Sequence, residues 1–314
     1  MAFTAGNVKE LRELTGAGMM DCKKALTETN GDMEQAIEFL RKKGLAASAK
    51  KAGRIAAEGI VGILIDSNNG KASIVEVNSE TDFVAKNEKF KAFVDNVNEQ
   101  VLLSSANDVE ELKNEKWICD NTKTVAEEVS SQVAVIGENI NIRRFARFEN
   151  VDAVLAGYIH GEGRIGVLLE ANAPKNNDKV EELLSDVCMQ IAAMNPMCVS
   201  EKDVPADYIE HEKSILLEQA INENNKLPEN KRKPEAIIEK MLEGRMKKQL
   251  KEICLLDQVY VKNGDFTVGS YIASVAKEVG ADITINKFVR FETGEGIEKK
   301  EENFAAEVAA QMNM

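Results

Sequence analysis

The chain has 314 residues, long enough for two or three domains, and 44% of them are hydrophobic, so sizeable cores can form. A net charge of −13 argues against a nucleic-acid binder, because a phosphate-binding surface needs clustered, uncompensated Lys and Arg. Five cysteines with no CxxC pair, and only two histidines, His160 and His211, argue against a disulfide framework, a zinc site and a His-based triad.

The opening stretch, MAFTAGNVKELRELTG, has no apolar run of a signal peptide, and its Glu10 and Glu13 run against a transit peptide. No run of about 18 apolar residues offers a membrane span. A cytoplasmic, reducing setting is the expectation. Residues 7–44 read as three short helices. The first carries Val8, Leu11 and Leu14 and stops at Thr15-Gly16; the second follows Gly18 and packs through Cys22, Ala25 and Leu26. Asp32 and Gln35 have the spacing of a capping box for the third, whose stripe is Met33, Ala36, Ile37 and Leu40, with Gly44 as its stop. So small a core suits a docking module. Residues 41–54 hold six basic residues and no acidic one, which reads first as a solvated linker or helix end and second as a contact for an acidic partner.

Residues 59–149 read as an α+β unit. Two strands meet at the hairpin signal Asn68-Asn69-Gly70, and a helix through Phe90, Phe93, Val94, Val97 and Val101 follows. A charged, helical excursion around Trp117 precedes the closing strand INIRRFARFE at 140–149. ITINKFVRFE at 283–292 repeats that strand, matching Ile140, Ile142, Phe145, Arg147, Phe148 and Glu149 in order. GYIHGEGRIGVLLEA supplies a second hairpin, and Val180, Leu184, Val187, Cys188 and Ile191 a second helix. Two copies of hairpin, helix and closing strand therefore build one core. The second copy is interrupted by charged helices over 206–225 and 235–253, broken apart at Pro228 and Pro234, which reads as an antiparallel coiled-coil hairpin. Residues 303–311 form a last amphipathic helix.

Several motifs allow two readings. GEGRIG at 161–166 fits GxGxxG, but strand-like residues follow it, so the glycines suit a hairpin turn better than a dinucleotide site. His160 is a hydrogen-bonded turn histidine or a partner contact. Met19 and Met20 point about 100° apart on a helix, so either one is buried and one incidentally exposed, or an exposed Met offers a soft, adaptable contact. Thr81 or Asp82 caps a helix after the second strand. On residue type alone burial is the leading reading of Phe83, seven residues before Phe90.

KELRELTGAGMMDCKKAL, TDFVAKNEKF, IGENINIRRF, HGEGRIGVL, EGRMKKQLKE and RFETGEGIEK stand in the order found in bacterial elongation factor Ts, so the chain resembles that family over essentially its whole length. The resemblance implies a guanine nucleotide exchange factor. Such a factor binds elongation factor Tu, the GTPase that carries aminoacyl-tRNA, and speeds GDP release without enzyme chemistry, a cofactor or a metal. It also implies that Asp82 and Phe83 intrude beside the partner's magnesium, flanked by Thr81 and Val84. Met19, Met20 and Lys23 match docking residues; Ile136, Gly137 and His160 match further contacts, and Val261 an apolar one. Lys262 departs from the family pattern, standing where a methionine occurs.

The expected architecture is α+β. A three-helix docking module and basic linker cover 1–53. Core subdomains with antiparallel sheets cover 54–150 and 151–205 with 254–297. The coiled-coil insertion covers 206–253, and a C-terminal helix module 298–314. The residues admit two other classes of function, a small-molecule enzyme using the glycine-rich turn and a scaffold binding through the helical hairpin.

Overall fold

The computed structural model describes residues 3–298, so the helix expected over 303–311 lies outside the described residues. Three helices come first: α1 (Ala5–Thr15), α2 (Met19–Glu28) and α3 (Met33–Lys51). Thr4 and Asn7 close a capping box at the start of α1, and Gly16, at φ 67°, ends it in the left-handed region. Asp32 caps α3 by accepting from Gln35 N (2.9 Å); the Gln35 amide returns to the Asp32 carboxylate rather than to its backbone. Leu11, Cys22, Ala25, Leu26 and Ala36 form the module's small core.

A tight hairpin joins β1 (Glu58–Asp66) to β2 (Lys71–Ser79). Gly70 at its turn has φ 61°, and a Cβ there would meet Val151 Cα at 2.4 Å. The chain continues through α4 (Asp82–Ala85), α5 (Glu88–Leu103) and α6 (Val109–Asn114). A ribbon of β3 (Lys116–Trp117) and β4 (Asp120–Thr124) then leads into α7 (Val125–Ile136) and β5 (Asn141–Glu149). The charged excursion is thus part helix and part ribbon, with Trp117 buried beside Phe93 at 5.9 Å between ring centroids. The sheet order is β1–β2–β5, and Phe90, Phe93, Val94, Val97 and Val101 of α5 pack into one core with Val75 and Val77 of β2.

Gly44 does not stop α3. The helix runs through it and takes most of the basic stretch with it, because α3 lies along α7. A Cβ on Gly44 would sit 3.5 Å from Ser130 O and 3.6 Å from Ala134 Cβ, so the position faces α7 with room for a methyl group and no more. Arg41 pairs with Glu127, and Lys51 Nζ donates to Gly137 O (2.5 Å). Leu14 and Ile37, expected in the module core, instead line a cleft of about 520 Å³ between the module and α7. Gly44→Ala is expected to raise stability by about 0.5–1 kcal/mol, since alanine is the better helix former and its methyl meets ordinary contact distances. Gly44→Leu is expected to cost about 1–3 kcal/mol by wedging the helices apart. Urea midpoints of the three proteins check both signs.

The second half repeats the pattern: β6 (Val154–His160), β7 (Ile165–Asn172), α8 (Asp178–Met194), then α9 (Ala206–Asn225) and α10 (Glu235–Ile253), and finally α11 (Val268–Val279) and β8 (Thr284–Glu292). The sheet order is β6–β7–β8. Helices α9 and α10 run side by side and are tied by Arg245–Glu223 (2.6 Å) and Gln249–Glu212 (2.7 Å). At their base Cys198 and Cys254 bring their sulfurs to 3.7 Å as free thiols, both raised by burial, Cys254 to about 12.

The two sheets pack on one another through Val61, Ala72, Ile74 and Phe148 on one side and Leu168 and Phe291 on the other. Equivalent registers shift in β5 and β8, opposite the buried carboxylates Glu76 and Glu170. Arg144 lies over the Phe291 ring (4.3 Å), and Lys287 over the Phe148 ring (4.4 Å), so each half sends the same contact into the other.

Candidate functional site

At the end of β2 the chain turns directly into the four-residue α4. Thr81 is its N-cap, with Oγ1 accepting from Val84 N (3.4 Å). Val84 turns inward onto the core, which leaves Asp82 and Phe83 facing out. Phe83 is 81% exposed, so the burial that its type suggests does not occur. The seven-residue spacing to Phe90 fails as a guide because the helix breaks between them: Lys86 ends α4 and Asn87 caps α5, accepting from Lys89 N (2.9 Å). Asp82 pairs with Lys86 (2.7 Å), and that hydrogen bond holds its carboxyl below the usual range.

The α4 turn is gripped from behind. The Glu138 carboxylate accepts from Glu80 N (3.1 Å), Thr81 N (3.0 Å) and Thr81 Oγ1 (2.6 Å). Glu80 answers by accepting from Asn139 N (2.6 Å), and Asn139 Nδ2 donates to Arg54 O (2.8 Å). Ile136 and Gly137 therefore stand directly beside this clasp. Gly137, at φ 90°, caps the end of α7, and Ile136 packs half-buried against the core.

His160 ends β6, exposed, with Nδ1 3.0 Å from the Tyr158 hydroxyl. Gly161, Glu162 and Gly163 make the turn into β7 at φ 59°, 57° and 98°. Gly163 O accepts from Val61 N (2.7 Å), and a Cβ on Gly163 would reach 2.6 Å from Ile60 Cγ2, so this turn sits on the start of β1. Because a strand and no helix follows, these glycines build a hairpin and not a phosphate cradle. The α4 turn also packs against β1, so α4 and the turn after His160 both border that strand. Thr81, Asp82, Phe83 and Val84 thus stand beside Ile136 and Gly137 through the Glu138 clasp, while His160 leads into the turn that rests on β1.

The other residues lie elsewhere. Met19 and Met20 open α2 with 45% and 74% exposure, so neither belongs to the module core, and Lys23 is exposed one turn on. Val261 is half-exposed beyond α10, with its N–H donating to Gln190 Oε1 (2.9 Å). Among the described residues no cluster of three or more His, Cys, Asp or Glu is placed to hold a metal, and no helix is long and apolar enough to cross a membrane.

The family model described as elongation factor TS matches residues 80–295. The chain is also similar to elongation factor Ts of Clostridium novyi (strain NT), at 54% identity with 99% of both chains covered. It is 56% identical to that of Clostridium perfringens (strain 13 / Type A), with 98% of both covered. The chain belongs to the elongation factor Ts family.

Within this elongation factor Ts family member, Lys262, next to Val261, has a defined local partner. Lys262 Nζ lies 2.5 Å from Asp186 Oδ1, while Tyr260 OH (2.6 Å) and Tyr271 OH (3.2 Å) donate to Oδ2. Burial pushes Asp186 up, but Lys262 and the two hydroxyls outweigh it and leave the carboxyl below its usual range. Lys262 is therefore engaged in an ion pair. Sequence reasoning also missed Glu80, Glu138, Asn139 and Arg54. The only available signal was that IGEN runs on from Ile136-Gly137, since no local pattern links Glu138 to Thr81 across 57 positions.

Proposed function

We propose that this chain binds elongation factor Tu carrying GDP and promotes GDP release by inserting Asp82 and Phe83 beside the magnesium and nucleotide site. Membership of the elongation factor Ts family supports this reading, in which the chain is a nucleotide exchange factor of translation elongation that works with elongation factor Tu and changes no covalent bond. The exposed Phe83 ring, on a helix too short to set its own direction and braced from behind by Glu138, carries the reading. Full burial of a Phe contributes about 1.5–3 kcal/mol. That energy is available only if the partner's elements part to receive the ring, which disturbs the magnesium and the loop around the phosphates. Linkage makes the effect reciprocal, so bound GDP weakens the complex by the same ratio. Ile136 and Gly137, beside the clasp, and His160, at the turn on β1, share the coupling. Residues 1–53 dock through Met19, Met20 and Lys23, Val261 adds an apolar contact, and 206–253 is a coiled-coil insertion in the second core subdomain.

Release of fluorescent GDP from elongation factor Tu, followed by stopped flow with and without the chain, tests this. Acceleration that saturates with chain concentration is expected. Complex formation with unchanged release would reduce the chain to a scaffold.

A further inference from the structure

We propose that Glu138 is a positioning residue for nucleotide exchange: its carboxylate fixes the Thr81 hydroxyl and backbone so that α4 holds Phe83 outward. The inference rests on the intrusion of Phe83 proposed above. A four-residue helix has no cooperative stability of its own, so its direction must be imposed from outside. One anchor is Val84, packed in the core. The other is Glu138. Its Oε2 accepts from both Glu80 N and Thr81 N, which fixes the peptide planes entering the turn. Its Oε1 accepts the Thr81 hydroxyl proton, which leaves the hydroxyl lone pairs facing Val84 N, the group the N-cap must satisfy. The carboxylate thus orients the capping group as well as holding it.

The grip is reciprocal. Each of two loops presents a glutamate to the other loop's backbone, Glu138 to Glu80 and Thr81, and Glu80 to Asn139. Asn139 carries the connection on to Arg54 O, where the chain enters the core from the helical module. Arg54 Nη1 lies 3.4 Å from Glu80 Oε1 and adds a second tie to the same point. Three segments named separately in the sequence are therefore tied at one point, and Glu138 makes three of the bonds.

The test is a double-mutant cycle on GDP release from elongation factor Tu, with thermal melts of each variant. Glu138→Ala is expected to lower the maximal release rate about tenfold, as for misplacement of a reacting group, while the half-saturating concentration moves less. Glu138→Gln keeps the shape and one accepting oxygen but cannot take the Thr81 proton on its amide side, so an intermediate loss is expected. Thr81→Val, which removes the hydroxyl link and the Val84 N cap together but keeps both backbone bonds to Glu138, is expected to lose at least as much as Glu138→Gln and serves if Glu138→Ala fails to fold. In a Phe83→Ala background, Glu138→Ala is expected to slow release by less than about twofold, because nothing is left to position. The full loss recurring in that background would overturn the inference, as would a rate unchanged by Glu138→Ala or one that falls only with the folded fraction. Release unaffected by Phe83→Ala alone would instead overturn the intrusion reading itself, without involving Glu138.

Discussion

Phe83→Ala is expected to slow GDP release by roughly tenfold to a hundredfold, the kinetic equivalent of about 1.5–3 kcal/mol of apolar burial. The same substitution is expected to change unfolding stability by less than about 1 kcal/mol, because the ring makes almost no contact with its own protein. Phe90→Ala, at a fully buried position, should reverse the pattern: a stability loss of about 3–5 kcal/mol from transfer and cavity terms, with release per folded molecule nearly unchanged. The pair separates a ring that acts on a partner from one that fills a core. Asp82→Ala should slow release less than Phe83→Ala and barely alter stability, since Thr81 supplies the cap and the Asp82–Lys86 pair is exposed. The readings are the urea midpoint and the GDP release rate. A large midpoint drop for Phe83→Ala with unchanged release would return Phe83 to a structural role.

What the sequence made legible was local. Hairpin glycines, the Asp32 cap and the closing strands at 141–149 and 284–292 follow from turn chemistry and alternation, which neighbouring residues decide. Gly44 misled because a glycine near a helix end and a glycine at a helix crossing look alike until α7 is in place. Phe83 misled residue-type reasoning for the opposite cause, since a seven-residue spacing says nothing once a cap at Asn87 interrupts the helix. The Glu80–Glu138 clasp and the Asp186–Lys262 pair were out of reach, each joining positions dozens of residues apart through side chains that the pattern alone would leave in solvent.

The buried carboxylates of the repeat carry the second large effect. Glu76 is fully buried and accepts from Gly294 N (2.8 Å), Arg143 Nη1 (2.9 Å), Arg144 Nε (2.5 Å) and Asn78 Nδ2 (3.1 Å). Burial pushes its carboxyl up, but the Gly294 N–H, the two arginines and Asn78 outweigh it, so it titrates below its ordinary 4.5. A carboxyl depressed on folding stabilises the fold above its unfolded value, and that contribution drains away as pH falls through the folded value. Stability is therefore expected to decline from about pH 4.5 downward, with Glu170 and Asp186 adding in the same sense. Glu76→Gln should cost about 2–3 kcal/mol near neutral pH, less than removing one partner of a wholly buried pair, because Arg143 and Arg144 keep 26% and 30% of their exposure. The loss falls on the contact between the sheets, since Arg144 stacks on Phe291 and Gly294 is held from the other half. The gap between wild type and variant should narrow once Glu76 itself takes up a proton. Urea unfolding of both proteins from neutral pH down to about pH 3 checks this, and a gap that stays constant across that range would show that Glu76 contributes by its shape and not by its charge.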